Sequence, residues 1–179
     1  MTPDLSVVLF TVFILLTGGE RIVELFVSKR HAAWAFARGG VESGRGHFPA
    51  MVMLHTGLLV GSLAEVWLLG RPFIALLGWP MFALAVLCQI GRIWIIRSLG
   101  NHWNTRIIVV PGMPLSRRGP YRFPRFPHPN YVLVGVEGFA IPLIHTAWIT
   151  AGVFAILNAV LLIGFRIPAE DRALQAAAR

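Results

Sequence analysis

Apolar residues in this chain fall into five long blocks, and the polar residues collect between them. The blocks run over about 5–27, 49–69, 73–96, 131–144 and 147–165, the fourth being short. Most approach or exceed the ~20 residues that cross a bilayer as a helix. The connection over 29–48 carries Gly39, Gly40, Gly44 and Gly46, the punctuation of a flexible or tightly turned loop. A short turn at Gly70-Arg71-Pro72 and a long basic loop over 97–130 separate the later blocks, and the alanine-rich tail over 166–179 reads as a helix. No repeat of solenoid length interrupts this order. The pattern predicts one all-α integral membrane domain, a bundle of about five transmembrane helices with a structured loop and a helical C-terminal tail.

Composition agrees. Hydrophobic residues make up 56% and charged residues 13%, against about 25% charged in a soluble domain. The formal net charge of +8 has its explanation in membrane topology, because cytoplasmic loops are enriched in Lys and Arg. With five spans and the N-terminus outside, all sixteen Lys and Arg except Arg21 and Arg71 fall at or near the cytoplasmic side. No recognised nucleic-acid motif accompanies the charge. The single cysteine, Cys88, excludes intrachain disulfides and cysteine metal sites. The N-terminus lacks the basic region of a cleavable signal, so the first block is expected to stay as an anchor in the cytoplasmic membrane.

Against that background, the ionisable residues inside the blocks stand out, since such groups are costly at membrane depth. Glu20, Arg21 and Glu24 lie late in the first block, His55 early in the second, Arg92 late in the third and Glu137 early in the fourth. All fall towards the cytoplasmic side, whereas Glu65 and His145 fall towards the outside. A polar layer at one depth reads as the wall of a ligand pocket, and its alternative is a salt-bridge network that holds helices together. Beside it lies the tract 119–131, Gly-Pro-Tyr-Arg-Phe-Pro-Arg-Phe-Pro-His-Pro-Asn-Tyr. Its prolines exclude an ordinary helix and make a stiff loop presenting Arg122, Arg125 and His128, suited to an anion. No compact His/Glu set points to a metal, and no Gly-x-Ser-x-Gly elbow points to a hydrolase. The residues by themselves support a membrane pocket for an amphiphile and an anionic or zwitterionic partner.

Gly-Pro-Tyr-Arg-Phe, the His128-Pro-Asn-Tyr131 run, Glu137 and the tail Arg166-Ile-Pro-Ala-Glu170-Asp171 resemble the isoprenylcysteine carboxyl methyltransferase family. Glu20-Arg21-Ile-Val-Glu24, Ser28-Lys-Arg30, Gly46-His47-Phe-Pro49, His55 and Trp103-Asn-Thr-Arg106 extend the resemblance over nearly the whole chain. These resemble a bacterial branch associated with O-methylation of alkylpyrones and alkylresorcinols made by type III polyketide synthases. The resemblance implies a membrane enzyme that uses S-adenosylmethionine on a lipidic acceptor drawn from the bilayer, with a lipid-producing synthase as a potential partner. His128, Tyr131 and either Arg122 or Arg125 would border the cofactor, Tyr121 and Pro129 would shape the same wall, and Glu137 would lie beneath it. Arg166 and Glu170 would close the pocket at the reacting methyl group. Glu24, His55 and Arg92 of the polar layer, with Trp103 and Arg106 of the motif, are the candidate substrate-binding residues.

Two positions depart from the family pattern. Phe126 and Pro127 separate Arg125 from His128, where the family has arginine directly before His-Pro, and Asp171 stands where a second glutamate is usual. Two other classes compete with the methyltransferase: an NADPH-dependent membrane reductase, which shares a similar C-terminal motif, and a non-catalytic lipid-binding protein.

Overall fold

The computed structural model of the chain describes residues 4–114, 116–123 and 128–177. Its first helix, α1 (Leu5–Phe36), is capped by Asp4, whose carboxylate accepts the Ser6 amide at 3.3 Å. The sequence reading ends this helix near residue 27, but α1 continues through Ser28, Lys29, Arg30 and His31. Polar residues there do not break it, because a backbone already paired within a helix gains nothing by leaving it. The stop comes at Gly39, which takes φ +78°, and at Gly40, where a Cβ would lie 2.8 Å from the Ala35 carbonyl oxygen.

A feature absent from the sequence expectation follows. Strand β1 (Val41–Ser43) pairs antiparallel with β2 (Ile107–Val109), aligning Val41 with Val109 and Ser43 with Ile107. Three-residue strands leave too short an alternation to be read from sequence. Between them lie α2 (His47–Leu69) and α3 (Ala75–Leu99). After the strand come a short turn, Gly119–Arg122, then α4 (Pro129–Leu143) and α5 (Trp148–Leu161). One π-type turn, Leu162–Arg166, joins α5 to α6 (Ile167–Ala177).

Among the described residues, four helical stretches are long and apolar enough to cross a membrane: Leu5–Phe36, His47–Leu69, Ala75–His102 and Trp148–Ala177. The short fourth block forms α4, whose 15 residues span about 22 Å, less than the ~30 Å hydrocarbon core. It is the most enclosed helix, with Val134, Glu137, Gly138, Ala140, Ile141 and Leu143 buried. Gly138 permits this, since a Cβ there would come within 1.9 Å of the Phe154 ring on α5. The core gathers Phe10, Ile14, Val66, Ala85, Ala140 and Ile141 from α1 to α4.

At one end of the bundle the two tight turns are latched together. His145 Nδ1 donates to the Arg71 carbonyl at 3.2 Å, and Thr146 Oγ1 to the Pro72 carbonyl at 2.9 Å. Glu65 completes the latch. Its carboxylate accepts the amides of Ile149 (3.1 Å) and Thr150 (2.7 Å) and receives Arg71 Nε at 2.9 Å. It thereby supplies from α2 the cap that the α5 N-terminus lacks locally. The opposite end carries the strand pair, the Gly119–Arg122 turn and α6, which packs on both strands.

Candidate active site

At that opposite end β2, the segment before it, the start of α4 and the start of α6 enclose a cavity of about 380 Å³. Proline at the first position of α4 suits a helix start, where the missing N–H has no partner to lose. His128 and Tyr131 therefore lie one turn apart on the cavity wall, their rings stacked at 5.4 Å and 27°. His128 Nε2 donates to Asp171 at 3.0 Å, and its Nδ1 lies 3.8 Å from Glu170. The Tyr131 hydroxyl donates to the same Glu170 carboxylate. Burial, and then the Glu170 charge, push the Tyr121 phenol above the ordinary tyrosine range.

Arg166 forms the floor. It is 4% exposed, its guanidinium lies 5.9 Å from the Tyr131 ring centre, and one terminal nitrogen donates to the Thr105 carbonyl at 3.0 Å. Its Nε is buried with no partner among the described residues. The π-type turn ending at this residue leaves Phe165 half exposed while Arg166 is buried. Such turns recur at functional sites. Asn130 adds to the same wall a buried amide oxygen with no partner among the described residues.

Of the residues singled out from sequence, Tyr121, His128, Tyr131, Trp103, Arg106, Arg166 and Glu170 all line this one cavity. The others are placed elsewhere. Pro129 starts α4 without lining the cavity, Arg122 lies against the Phe123 ring at 4.7 Å, and Arg125 lies outside the described residues. Glu24, Arg92 and Glu137 belong to an ion-pair network between α1, α3 and α4. In it Arg21 donates to Glu24 (2.8 Å), Gln89 (2.7 Å) and Glu137 (3.1 Å), while Arg92 donates to Glu137 at 2.8 Å and lies 3.6 Å from Glu24. The polar layer thus closes on itself as helix-to-helix pairing. His55 donates to the Met51 carbonyl at 2.8 Å and borders, with Thr17, Arg21 and Glu137, a void of only about 20 Å³. A void of that size holds roughly one water.

Three contributors escaped the sequence reading. Asp171, quoted there in the tail motif but given no role, holds His128; Asn130 sits between two motif residues; and Thr105 receives Arg166. All three lie inside the quoted motif runs, which was the signal they left. The Thr105 contact uses a backbone carbonyl, which no residue type announces.

The family model of the isoprenylcysteine carboxyl methyltransferases matches residues 81–176, the part of the chain that supplies most of the cavity wall. The protein is also 40% identical over 157 residues to a Bacillus subtilis (strain 168) protein named uncharacterized protein YpbQ, covering 87% of this chain and 90% of that one. No solved structure matches it. With the family match extending over more than half the chain and across the cavity, this multi-pass membrane protein belongs to the isoprenylcysteine carboxyl methyltransferase family and is a methyltransferase of that type.

Proposed function

We propose that the protein transfers the methyl group of S-adenosylmethionine to an oxygen of a membrane-partitioned lipid, with the cavity opening to the cytoplasm. The carrying observation is Arg166, a buried guanidinium with an unpartnered N–H among the described residues, beside two carboxylates and two aromatic rings on one wall. A cavity of about 380 Å³ falls in the ~300–1,000 Å³ range of small-molecule sites. Its polar atoms fit the donor in kind. Asn130 Oδ1 suits an N–H of the adenine or the ammonium, Glu170 and Asp171 suit the donor's positive charges, and Arg117 suits the methionyl carboxylate. Tyr121, Tyr131 and His128 supply flat apolar faces for the adenine.

When bound, S-adenosylmethionine supplies an electrophilic methyl on a positively charged sulfur. The chain's task is then mainly to align an acceptor oxygen with it, and alignment is worth several kcal/mol of barrier. Arg166 can hold and orient that oxygen through its free N–H. A carboxylate acceptor, such as a prenylcysteine-like one, is already ionised and requires no base. A hydroxyl of an alkylpyrone or alkylresorcinol must lose its proton as the O–C bond forms. In this reading His128, held by Asp171, takes it.

The lipid tail has a matching surface. A second, almost wholly apolar cavity of about 630 Å³ runs between α2 and α5, passing Gly57 and Gly61 and ending at Phe165, the residue before Arg166. A chain lying there would end beside Phe165, the sequence neighbour of Arg166. The test is incubation of purified protein with methyl-labelled S-adenosylmethionine and lipid extract. Label in a lipid ester or ether is the expected result, and label absent from every lipid product removes the proposal.

A further inference from the structure

The floor of the cavity is tied to α1 by a continuous chain of hydrogen bonds. Ser28, 3% exposed, stands one turn beyond the ion-pair network on α1. Its hydroxyl donates to Asn104 Oδ1 at 2.8 Å and accepts both the Thr105 amide at 3.1 Å and the Thr105 hydroxyl at 2.7 Å. A serine hydroxyl has one donor and two acceptor sites, so its whole capacity is spent on this segment. Asn104 closes the unit by donating Nδ2 to the Ser28 carbonyl at 3.1 Å and accepting the Arg106 amide at 2.9 Å. Thr105 then turns its carbonyl to the Arg166 guanidinium at 3.0 Å.

We propose that Ser28 is a positioning residue for Arg166, setting its orientation towards the acceptor by fixing the Asn104–Thr105 segment whose carbonyl Arg166 binds. The inference rests on the reading of Arg166 as the group that orients the acceptor. Thr105 belongs to no helix and no strand, so side-chain bonds hold it: Ser28 takes its amide and its hydroxyl, and Asn104 Oδ1, which Ser28 also holds, accepts the Arg106 N–H of the peptide that carries the Thr105 carbonyl. A guanidinium held by one carbonyl follows any rotation of that peptide. Loss of the serine hydroxyl leaves the Thr105 N–H without its partner and Asn104 Oδ1 without its Ser28 donor, so the peptides on both sides of Thr105 lose an anchor. The consequence falls on the acceptor side of the reaction, because no Ser28 atom lines the cavity.

The test is a double-mutant cycle with Ser28→Ala, Arg166→Lys and the double variant, read in two ways. Methyl transfer to the lipid should fall about tenfold in Ser28→Ala, the size of one lost hydrogen bond, with S-adenosylhomocysteine affinity within about twofold. In the Arg166→Lys background the same Ser28→Ala change should cost less than about twofold, the signature of two residues acting through one interaction. The second readout needs no turnover. Phenylglyoxal labelling of Arg166, followed by mass spectrometry, should speed up in Ser28→Ala while labelling of Arg92 in the ion-pair network stays constant. An equal penalty in both backgrounds, or unchanged labelling of Arg166, overturns the inference. Absence of transfer by the wild type, with faster Arg166 labelling in Ser28→Ala, would defeat the functional reading and leave the positioning intact.

Discussion

Replacing Arg166 by lysine keeps one positive charge at the cavity floor but removes the planar fork that can bind the Thr105 carbonyl and an acceptor oxygen together. Arg166→Lys is therefore expected to lower kcat/KM by roughly 100-fold or more, in the range seen when a preorganised donor is removed from a transition state. Its thermal midpoint should stay near that of the wild type, and steady-state transfer assays beside melting curves check both. Tyr121 gives a pH prediction. Burial first, then Glu170, raise its folded-state pKa above the 10.0 of a free phenol. Above that pH the unfolded chain releases the proton and the folded chain keeps it, so stability present below pH ~10 is lost as pH rises further. Tyr121→Phe should flatten this alkaline loss in urea or thermal unfolding; an unchanged slope would show that Tyr121 is not its source.

The start of α5 depends on another element. Its first amides are capped by Glu65 of α2, the residue whose sequence position suggested only that it lay far from the chemistry. Glu65→Gln retains an oxygen for the amides but loses the charge facing Arg71 and the helix N-terminus. About 1–2 kcal/mol of stability should go, with activity per folded molecule unchanged; a loss of kcat without loss of stability would contradict the latch. The π-type turn and the strand pair show why elements were less legible than blocks. Hydropathy marks long apolar runs well, but a one-residue change of helical pitch at Leu162–Arg166 leaves no trace in composition. Nor does a three-residue pairing between Val41–Ser43 and Ile107–Val109, which depends on contacts 60 or more residues apart.

Across the molecule, two polar centres that merge in the sequence are separate in space. Glu24, Arg92 and Glu137 share a depth with His128 and Arg166 on a linear map, so a single pocket was the economical reading. The fold turns the first three inward between α1, α3 and α4, where Arg21 and Arg92 pair with Glu24 and Glu137. The second set gathers at the loop end, through the α4 start and α6. The motif residues were legible because the chemistry confined them to a few types. The distinction between a network and a wall was not, since it depends on which way each helix faces. Glu137→Ala is expected to cost about 3–5 kcal/mol by leaving buried arginine charge uncompensated. Any folded fraction should still bind S-adenosylhomocysteine; selective loss of binding in a stable variant would put Glu137 back at the cofactor.

In the proposed function the cavity under His128, Tyr131 and Arg166 is the methyl-donor site. Calorimetric titration of S-adenosylhomocysteine into detergent-solubilised wild-type protein and His128→Ala tests it most directly. The expected result is saturable binding to the wild type, binding lost or weakened by well over tenfold in a folded His128→Ala, and no binding of NADPH by either. Equal affinity in the two proteins, or binding of NADPH in place of S-adenosylhomocysteine, would contradict it.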